Sequence, residues 1–373
     1  MGLKKATLEL WVYTGLFNGS NKTENPQYAI NKSVMGSNTV ISFEISELID
    51  DYINIQFDGT YDSISQSAWA EWIITRTYDD GTVDGSDTGE ATGQTPINGS
   101  AICWSGYGYF EEGVNPDLLL NKSLMQTNTI VYAPSGEIIN VPIFTGSGGS
   151  SKVIYKKGDN IVDIINEYTV VTDVTADMDI YTADTTNISA DIISFSSSES
   201  EQVSIASSIL DYDSIEIENA DGSFTYVTVK YLQECKYNPN KVYFINKFGV
   251  VQELWFFKRR DDSMSVSREN YNSNIIQNGT VDSSYSVNYA QTQTLSVDST
   301  KSIKLNTGFV DEQFGDVMKE LMLTKNAWIL ENGKVYPITP KLDTLSIKKS
   351  VNDKLIDYTL DFEYAFQTIN NIR

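Results

Sequence analysis

The chain has 373 residues, 50 of them acidic and 27 basic, for a net charge of -23 and a pI near 4.3; such a field repels nucleic-acid phosphates and anionic lipid heads. It contains no histidine, which excludes hydrolase triads with a His base, the zincin helix motif and His-ligated metals, so any chemistry must rest on carboxylates, Lys or Tyr. Cys103 and Cys235 are too few for a disulfide framework and too distant for a zinc pair, and are expected to be reduced, buried thiols. Twenty-two Tyr and 15 Phe favour strands. The length allows two or three domains.

From the start, Met-Gly-Leu-Lys-Lys-Ala-Thr-Leu-Glu carries no apolar secretory run, and no stretch approaches 18 apolar residues, so synthesis in a cytoplasm and no membrane partner are expected. Thr7–Tyr13 reads as a strand, Gly15–Asn25 as a loop, and 28–45 as two further strands, the second Thr39–Ile45. Ser46 is placed to cap a short amphipathic helix over 46–53, with Ile45, Leu48, Ile49, Tyr52 and Ile53 at helical spacing beneath a sheet. Residues 68–78 give a strand carrying Trp69 and Trp72, followed by a long acidic loop. Asn31-Lys-Ser-Val-Met-Gly-Ser-Asn-Thr-Val-Ile41 recurs as Asn121-Lys-Ser-Leu-Met-Gln-Thr-Asn-Thr-Ile-Val131, which suggests a duplicated strand-turn-strand unit.

Thr145-Gly-Ser-Gly-Gly-Ser-Ser151 has linker composition and closes an N-terminal β region, 1–145. Residues 146–232 form an Asp/Ser/Thr-rich middle domain or insertion, with strands at 169–172, 204–206 and 226–231 and a hairpin turn at Asn219–Ser223. Residues 233–373 form the third region. It opens with Val242–Phe244 and Leu254–Phe256, which alternate with their neighbours across Asn246-Lys-Phe-Gly249 and predict a core hairpin central to a sheet, Gly249 supplying a positive backbone dihedral. Residues 261–300 are polar and should hold exposed strands or arms. Phe314, Val317, Met318, Leu321 and Met322 follow helical spacing after Asp311 and Glu312. Strands at 327–330, 335–338, 342–348 and 357–364 follow, with Glu331-Asn-Gly-Lys334 a hairpin turn. The expected fold class is mainly β, multi-domain, with antiparallel sandwich-like sheets and two or three short amphipathic helices.

Motifs that could carry chemistry fail on context. Asp87-Thr-Gly89 has the letters of an aspartic-protease loop but lies in a flexible acidic run. Asp79, Asp80, Asp84, Asp87 and Glu90 lack the ligand order of an EF-hand. Gly146–Lys152 lacks the Gly-Lys pair of a phosphate loop. Seven Asn-x-Ser/Thr sequons, among them Asn18, Asn98 and Asn278, require a secretory route to matter. Tyr107, Tyr109 and Phe110 could stack on sugar rings, though strand packing or a protein interface accounts for such aromatics more often. No catalytic, cofactor or metal residue is assigned.

Three stretches carry a resemblance: Val40-Ile-Ser-Phe-Glu-Ile-Ser-Glu-Leu-Ile-Asp-Asp-Tyr-Ile53; Cys235-Lys-Tyr with Val242-Tyr-Phe-Ile-Asn-Lys-Phe-Gly249 and the Trp-Phe-Phe257 after it; and Leu305-Asn-Thr-Gly-Phe-Val310 with Val351-Asn-Asp-Lys-Leu-Ile-Asp-Tyr-Thr-Leu-Asp-Phe-Glu-Tyr-Ala-Phe366. In these the chain resembles virion structural proteins of tailed bacteriophages that infect Bacteroidetes, including crAss-like phages, tail and baseplate components in particular. It departs at Gly249-Val-Val-Gln-Glu253, where similar proteins carry a second Gly and an acidic residue. The resemblance implies a non-enzymatic virion building block, made in the host cytoplasm, whose partners are its own copies and other tail or neck proteins. The competing expectation is a carbohydrate-binding or adhesin-type surface module, which predicts an export signal. Open sheet edges and the polar 261–300 span further lead to the expectation of a ring component held head to tail by edge strands and arms.

Overall fold

A computed structural model describes residues 3–14, 18–35, 41–59, 67–81, 83, 96–113, 122–123, 129–135, 137, 139–144, 152–165, 191–194, 213–218, 224–278, 283–341 and 355–368. The chain is mainly β, built of several antiparallel sheets. It divides into two compact units, Met1–Gln233 with Tyr243–Leu254, and Glu234–Val242 with Trp255–Arg373.

The first unit opens with β1 (Leu3–Tyr13), β2 (Tyr28–Ser33), β3 (Ser67–Tyr78) and β4 (Ile97–Trp104), in the order β2-β1-β3-β4, all antiparallel. Alternation along β1 buries Ala6, Leu8, Leu10 and Val12 on one face, and Ala68 and Ala70 of β3 join them. Helix α1 (Ser46–Asp50) lays Ile49 on that cluster, as its periodicity predicts, with Leu48, Tyr52 and Ile53 half-buried around it. Two expectations are corrected here. Ser46 is the first helical residue, not the cap: its N–H and hydroxyl both donate to Glu44 Oε1, at 3.1 and 2.5 Å. Residues 41–45 form no strand either. Lys32 Nζ donates to the Ser42 carbonyl, and Phe43 and Ile45 fold onto the core cluster, so burial is reached without a backbone ladder.

Three more strands follow, β5 (Lys122–Ser123), β6 (Thr129–Pro134) and β7 (Asn140–Phe144), then β8 (Lys152–Lys157), β9 (Asn160–Ile165), β10 (Asp191–Ser194), β11 (Ser214–Glu218) and β12 (Phe224–Leu232). They make a small sheet, β10-β7-β5, and a larger one, β6-β12-β11-β8-β9. The second holds a parallel pair, β12 with β6, against the antiparallel expectation. Its core is Ile154, Tyr155, Ile215, Ile217, Val227 and Val229, all buried. Glu218 faces Phe224, so β11 and β12 are the two arms of the expected hairpin; its turn at 219–223 lies outside the described residues. So do the linker at 145–151, the predicted strands at 169–172, 204–206 and 342–348, and the Asp87-Thr-Gly89 triplet. The repeated segments both begin in strands, at Asn31–Ser33 and Lys122–Ser123. Ile41 then lies outside a strand while Val131 lies within β6, and 36–40 and 124–128 between them lie outside the described residues.

The hairpin β13 (Asn240–Ile245) and β14 (Val251–Phe256) is buried along almost its whole length on both faces. The expected one-sided alternation is therefore absent. Nor is the hairpin central, since β14 stands at the end of its strand order. Its turn is closed by Gly249 N–H donating to the Asn246 carbonyl at 2.9 Å, with Gly249 at φ 82° as the sequence requires.

In the second unit, β15 (Asp261–Asn272) leads to the short pair β16 (Ile276–Asn278) and β17 (Ser283–Tyr285) and returns as β18 (Thr292–Asp311). Helix α2 (Phe314–Leu323) buries Phe314, Val317, Met318 and Leu321, with Met322 half-buried at its margin. Then come β19 (Ala327–Glu331), β20 (Lys334–Pro340) and β21 (Leu355–Tyr364), in the order β19-β20-β21-β18-β15. Asn332 at φ 50° and Gly333 at φ 74° make the two-residue type I′ turn that Glu331-Asn-Gly-Lys334 predicts. Phe256 and Phe362 meet edge to face in this core, ring centroids 5.9 Å apart. Truncating Phe256, fully buried, or Trp255, 8% exposed, to Ala is expected to cost about 3–5 kcal/mol, read as a lowered thermal midpoint; midpoints within a degree of the parent protein would make the hairpin peripheral.

Candidate functional site

Two features of the second unit offer geometry for recognition: a groove at the root of the β15–β18 ribbon, and the ribbon itself. The groove has a volume of about 540 Å³. Its wall is a ring cluster, Tyr336, Tyr364 and Phe366, with centroids 5.3 to 6.5 Å apart, beside Met264. Its polar part is organised by Arg260. That guanidinium donates to Asp262 Oδ1 from Nε at 2.8 Å and from Nη2 at 2.6 Å, donates to the Tyr364 hydroxyl at 3.0 Å, and pairs with Glu331 at 2.5 Å. The Tyr364 hydroxyl in turn donates to Glu331.

Burial works against the Arg260 charge, but the hydrogen bond to Asp262 and the charges beside it outweigh that and hold the guanidinium protonated more firmly than usual. Burial, then the hydrogen bond to Glu331, pushes the Tyr364 hydroxyl well above the usual tyrosine range. Arg260, Asp262, Glu331 and the Tyr364 hydroxyl are bonded to one another, so the arrangement presents apolar rings beside an internally bonded network, with Lys301 at its margin. Neither a poised base nor an activated nucleophile results. This groove leaves no direct sign in the sequence, because Arg260, Glu331 and Tyr364 are far apart along the chain and meet only through strand order.

Beyond Ser302, where β18 still pairs with Glu363 of β21, the ribbon continues with no third described strand for nine residue pairs, from Met264↔Lys301 to Asn272↔Thr292, the Thr368 hydroxyl donating to the Ser299 carbonyl at 3.2 Å near its base. At about 3.4 Å per residue this is an arm of roughly 30 Å. Every residue of β15 is exposed. Cross-strand bonds hold one face: Ser296 Oγ to Glu269 at 3.1 Å and Tyr271 hydroxyl to Gln293 at 2.7 Å. Between Glu269 and Asp298 the sequence carries one charged residue, Asp282, whereas Tyr285, Val287, Tyr289 and Leu295 are all more than half exposed. Charge depletion with exposed tyrosines is the composition of a protein interface.

The residues singled out for sugar stacking serve a different purpose. Tyr107 and Tyr109 are half-buried, edge to face at 5.6 Å, and Tyr107 N–H donates to the Lys247 carbonyl at 2.8 Å. Lys247 Nζ lies 5.5 Å over the Tyr109 ring and pairs with Glu112 at 3.0 Å. A Cβ on Gly106 would meet the Lys247 carbonyl oxygen at 2.6 Å, so this segment is built to lie on the β13–β14 turn. Phe110 alone of the three is fully exposed.

The cysteines depart from expectation in one respect: Cys103 is partly buried, but Cys235 is exposed, because it falls in the irregular lead-in to β13. Burial pushes the Cys103 thiol up to about 11. Among the described residues no helix is long and apolar enough to cross a membrane. Neither a family model, nor a curated protein, nor a solved structure matches this chain.

Two measurements test the electrostatics. At pH 8 a thiol reagent should modify one cysteine rapidly, Cys235, and reach Cys103 only on unfolding. Tyr364 binds its proton more tightly when folded than the usual value near 10, so its contribution to stability is complete below about pH 10 and is lost above it, towards the raised folded value. Melting temperature against pH should fall in that alkaline window, and Tyr364→Phe should flatten part of the fall.

Proposed function

We propose that this chain is a non-enzymatic structural component of a bacteriophage virion, a tail or baseplate protein of ring or adaptor type that assembles with its own copies and with other tail or neck proteins. The observation that carries the reading is the arm: a two-stranded ribbon of this length, exposed on both faces and apolar at its charge-poor end, is marginal in water alone and gains its stability from a surface that covers it. The resemblance of three stretches to phage tail and baseplate proteins supports the virion setting. The absence of histidine from the sequence and the bonding of Arg260, Asp262, Glu331 and Tyr364 to one another support a role in assembly over chemistry.

A ring follows if the arm end of each subunit meets the next in the same head-to-tail way. The net charge of -23 opposes self-association in dilute solution, so a closed ring is expected on a partner and a monomer or small oligomer in isolation. Image averaging of the assembled particle and light scattering on the purified protein test the two halves. Single, unrepeated copies with the 261–300 segment folded on their own subunit would overturn the reading. Binding on a polysaccharide array, lost on Phe110→Ala, would favour a glycan-binding module instead.

A further inference from the structure

β15 is the longest strand among those that end a sheet in the described residues, and no described strand pairs with its outer edge. Proteins blunt such edges with proline, charged side chains (lysine above all), bulges or short length; the irregularity of β15 comes only past Glu269, and its four charges are of both signs. β15 has twelve residues and contains neither proline nor lysine. Its regular stretch runs from Asp261 to the bulge between Glu269 and Asn270, nine residues centred on Ser265.

That stretch is self-complementary. A two-fold axis perpendicular to a sheet keeps each side chain on its own face, so every residue of an edge strand meets a residue of the same parity in its mate. Centred on Ser265, the register sets Asp262 opposite Arg268, Met264 opposite Val266 and Ser263 opposite Ser267, each pair occurring twice by symmetry. Opposite charges face each other, as do apolar side chains. Arg268 makes no ion pair within the described residues, which is costly to explain in so acidic a chain unless its counter-charge comes from elsewhere; Asp262 is 62% exposed at the side chain although it also receives Arg260. Moving the centre by one residue destroys the match. About Met264, Arg268 would face Arg260; about Val266, Asp262 would face Asn270 and Arg268 would face Met264. The Ser265 register has one like-charged pair, Asp261 with Glu269. Asp261 is already held by Arg259 at 2.6 Å and Glu269 by the Ser296 hydroxyl.

We propose that β15 is a homodimerisation edge: two copies of this chain join their β18–β15 sheets antiparallel across a two-fold axis at Ser265. The apolar face of the arm, Met264, Val266 and Val297, then becomes continuous with its mate's. This rests on the virion reading only in taking copies of the chain as partners, and it leaves the arm ends beyond Asn272 for other contacts.

Cysteine placement decides it. In a Cys235→Ser background, Ser265→Cys sits opposite its own mate, within disulfide reach, and should give a covalent dimer on mild oxidation. Ser263→Cys alone places the two thiols four residues out of register, about 14 Å apart, and should not. Adding Ser267→Cys to it should restore crosslinking. By sedimentation, Arg268→Asp should weaken the dimer by about tenfold or more, and Asp262→Arg combined with Arg268→Asp should recover it, which loss of the Asp262–Arg260 contact alone would not do. Equal crosslinking at Ser263 and Ser265, none at Ser265 at the highest concentration reached, or no charge-swap recovery would overturn the dimer. The virion reading is judged separately: particles that still incorporate Arg268→Asp chains with an uncrosslinkable Ser265→Cys edge would sink the dimer and leave that reading standing, whereas a crosslinked dimer found in no particle would do the reverse.

Discussion

The buried side chain of Asn246 fixes the hairpin around which the first unit closes. Its Oδ1 accepts the N–H of Phe248 at 3.0 Å and its Nδ2 donates to Gln252 Oε1 at 3.1 Å, while its own backbone N–H donates to the Val250 carbonyl at 3.0 Å. An amide with no exposed surface is costly unless satisfied, and this turn satisfies it from within the hairpin. The turn so defined holds Lys247 where its carbonyl receives Tyr107 and its ammonium reaches Glu112 and Tyr109. A Cβ on Gly249 would strike Trp104 Cβ at 2.8 Å, so the same residue that permits the turn permits the close approach of the Trp104–Tyr107 segment.

Elements whose burial pattern matches a local period were legible in the sequence. β1 and α2 show their cores directly in the spacing of apolar residues, and the type I′ turn shows itself in Asn332-Gly333. Failures came where tertiary burial replaced a local rule. Residues 41–45 are as β-branched and aromatic as a strand, yet half-burial of Phe43 and Ile45 needs no ladder. Ser46 lost its capping role to a carboxylate two residues earlier, a choice that propensity does not distinguish. The groove was invisible for a different reason: Arg260, Glu331 and Tyr364 are bonded to one another only because β19, β21 and the lead-in to β15 converge.

A second irregularity explains how a sheet strand becomes an arm. Between Asn306 and Phe309 the β18–β21 register slips, with Gly308 at φ 75° and the buried Thr307 hydroxyl donating to the Gly308 carbonyl while accepting Tyr358 N–H at 3.0 Å. Asn306 Oδ1 accepts Gly308 N–H at 2.8 Å and its amide donates to Thr359 Oγ1 at 2.6 Å. Such a pinned bulge adds twist to a strand and anchors its register. β18 thus enters the arm from a fixed base, so its long unsupported run is aimed rather than loose.

The distribution of charge along that run sharpens the physical argument. Copies of a chain with net charge -23 repel, and the repulsion is smallest where contact is made through residues that carry no charge or carry the minority sign. The arm meets both conditions in sequence: Arg268 and Lys301 lie on the face with Met264 and Val266, and the stretch beyond Glu269 has a single acid before Asp298. An arm meant for solvent alone would be expected to carry the acidic surface of the rest of the chain, which is cheap and keeps edges apart. The apolar, charge-poor composition of its far end, beyond Glu269, is instead that of a surface whose water is meant to leave.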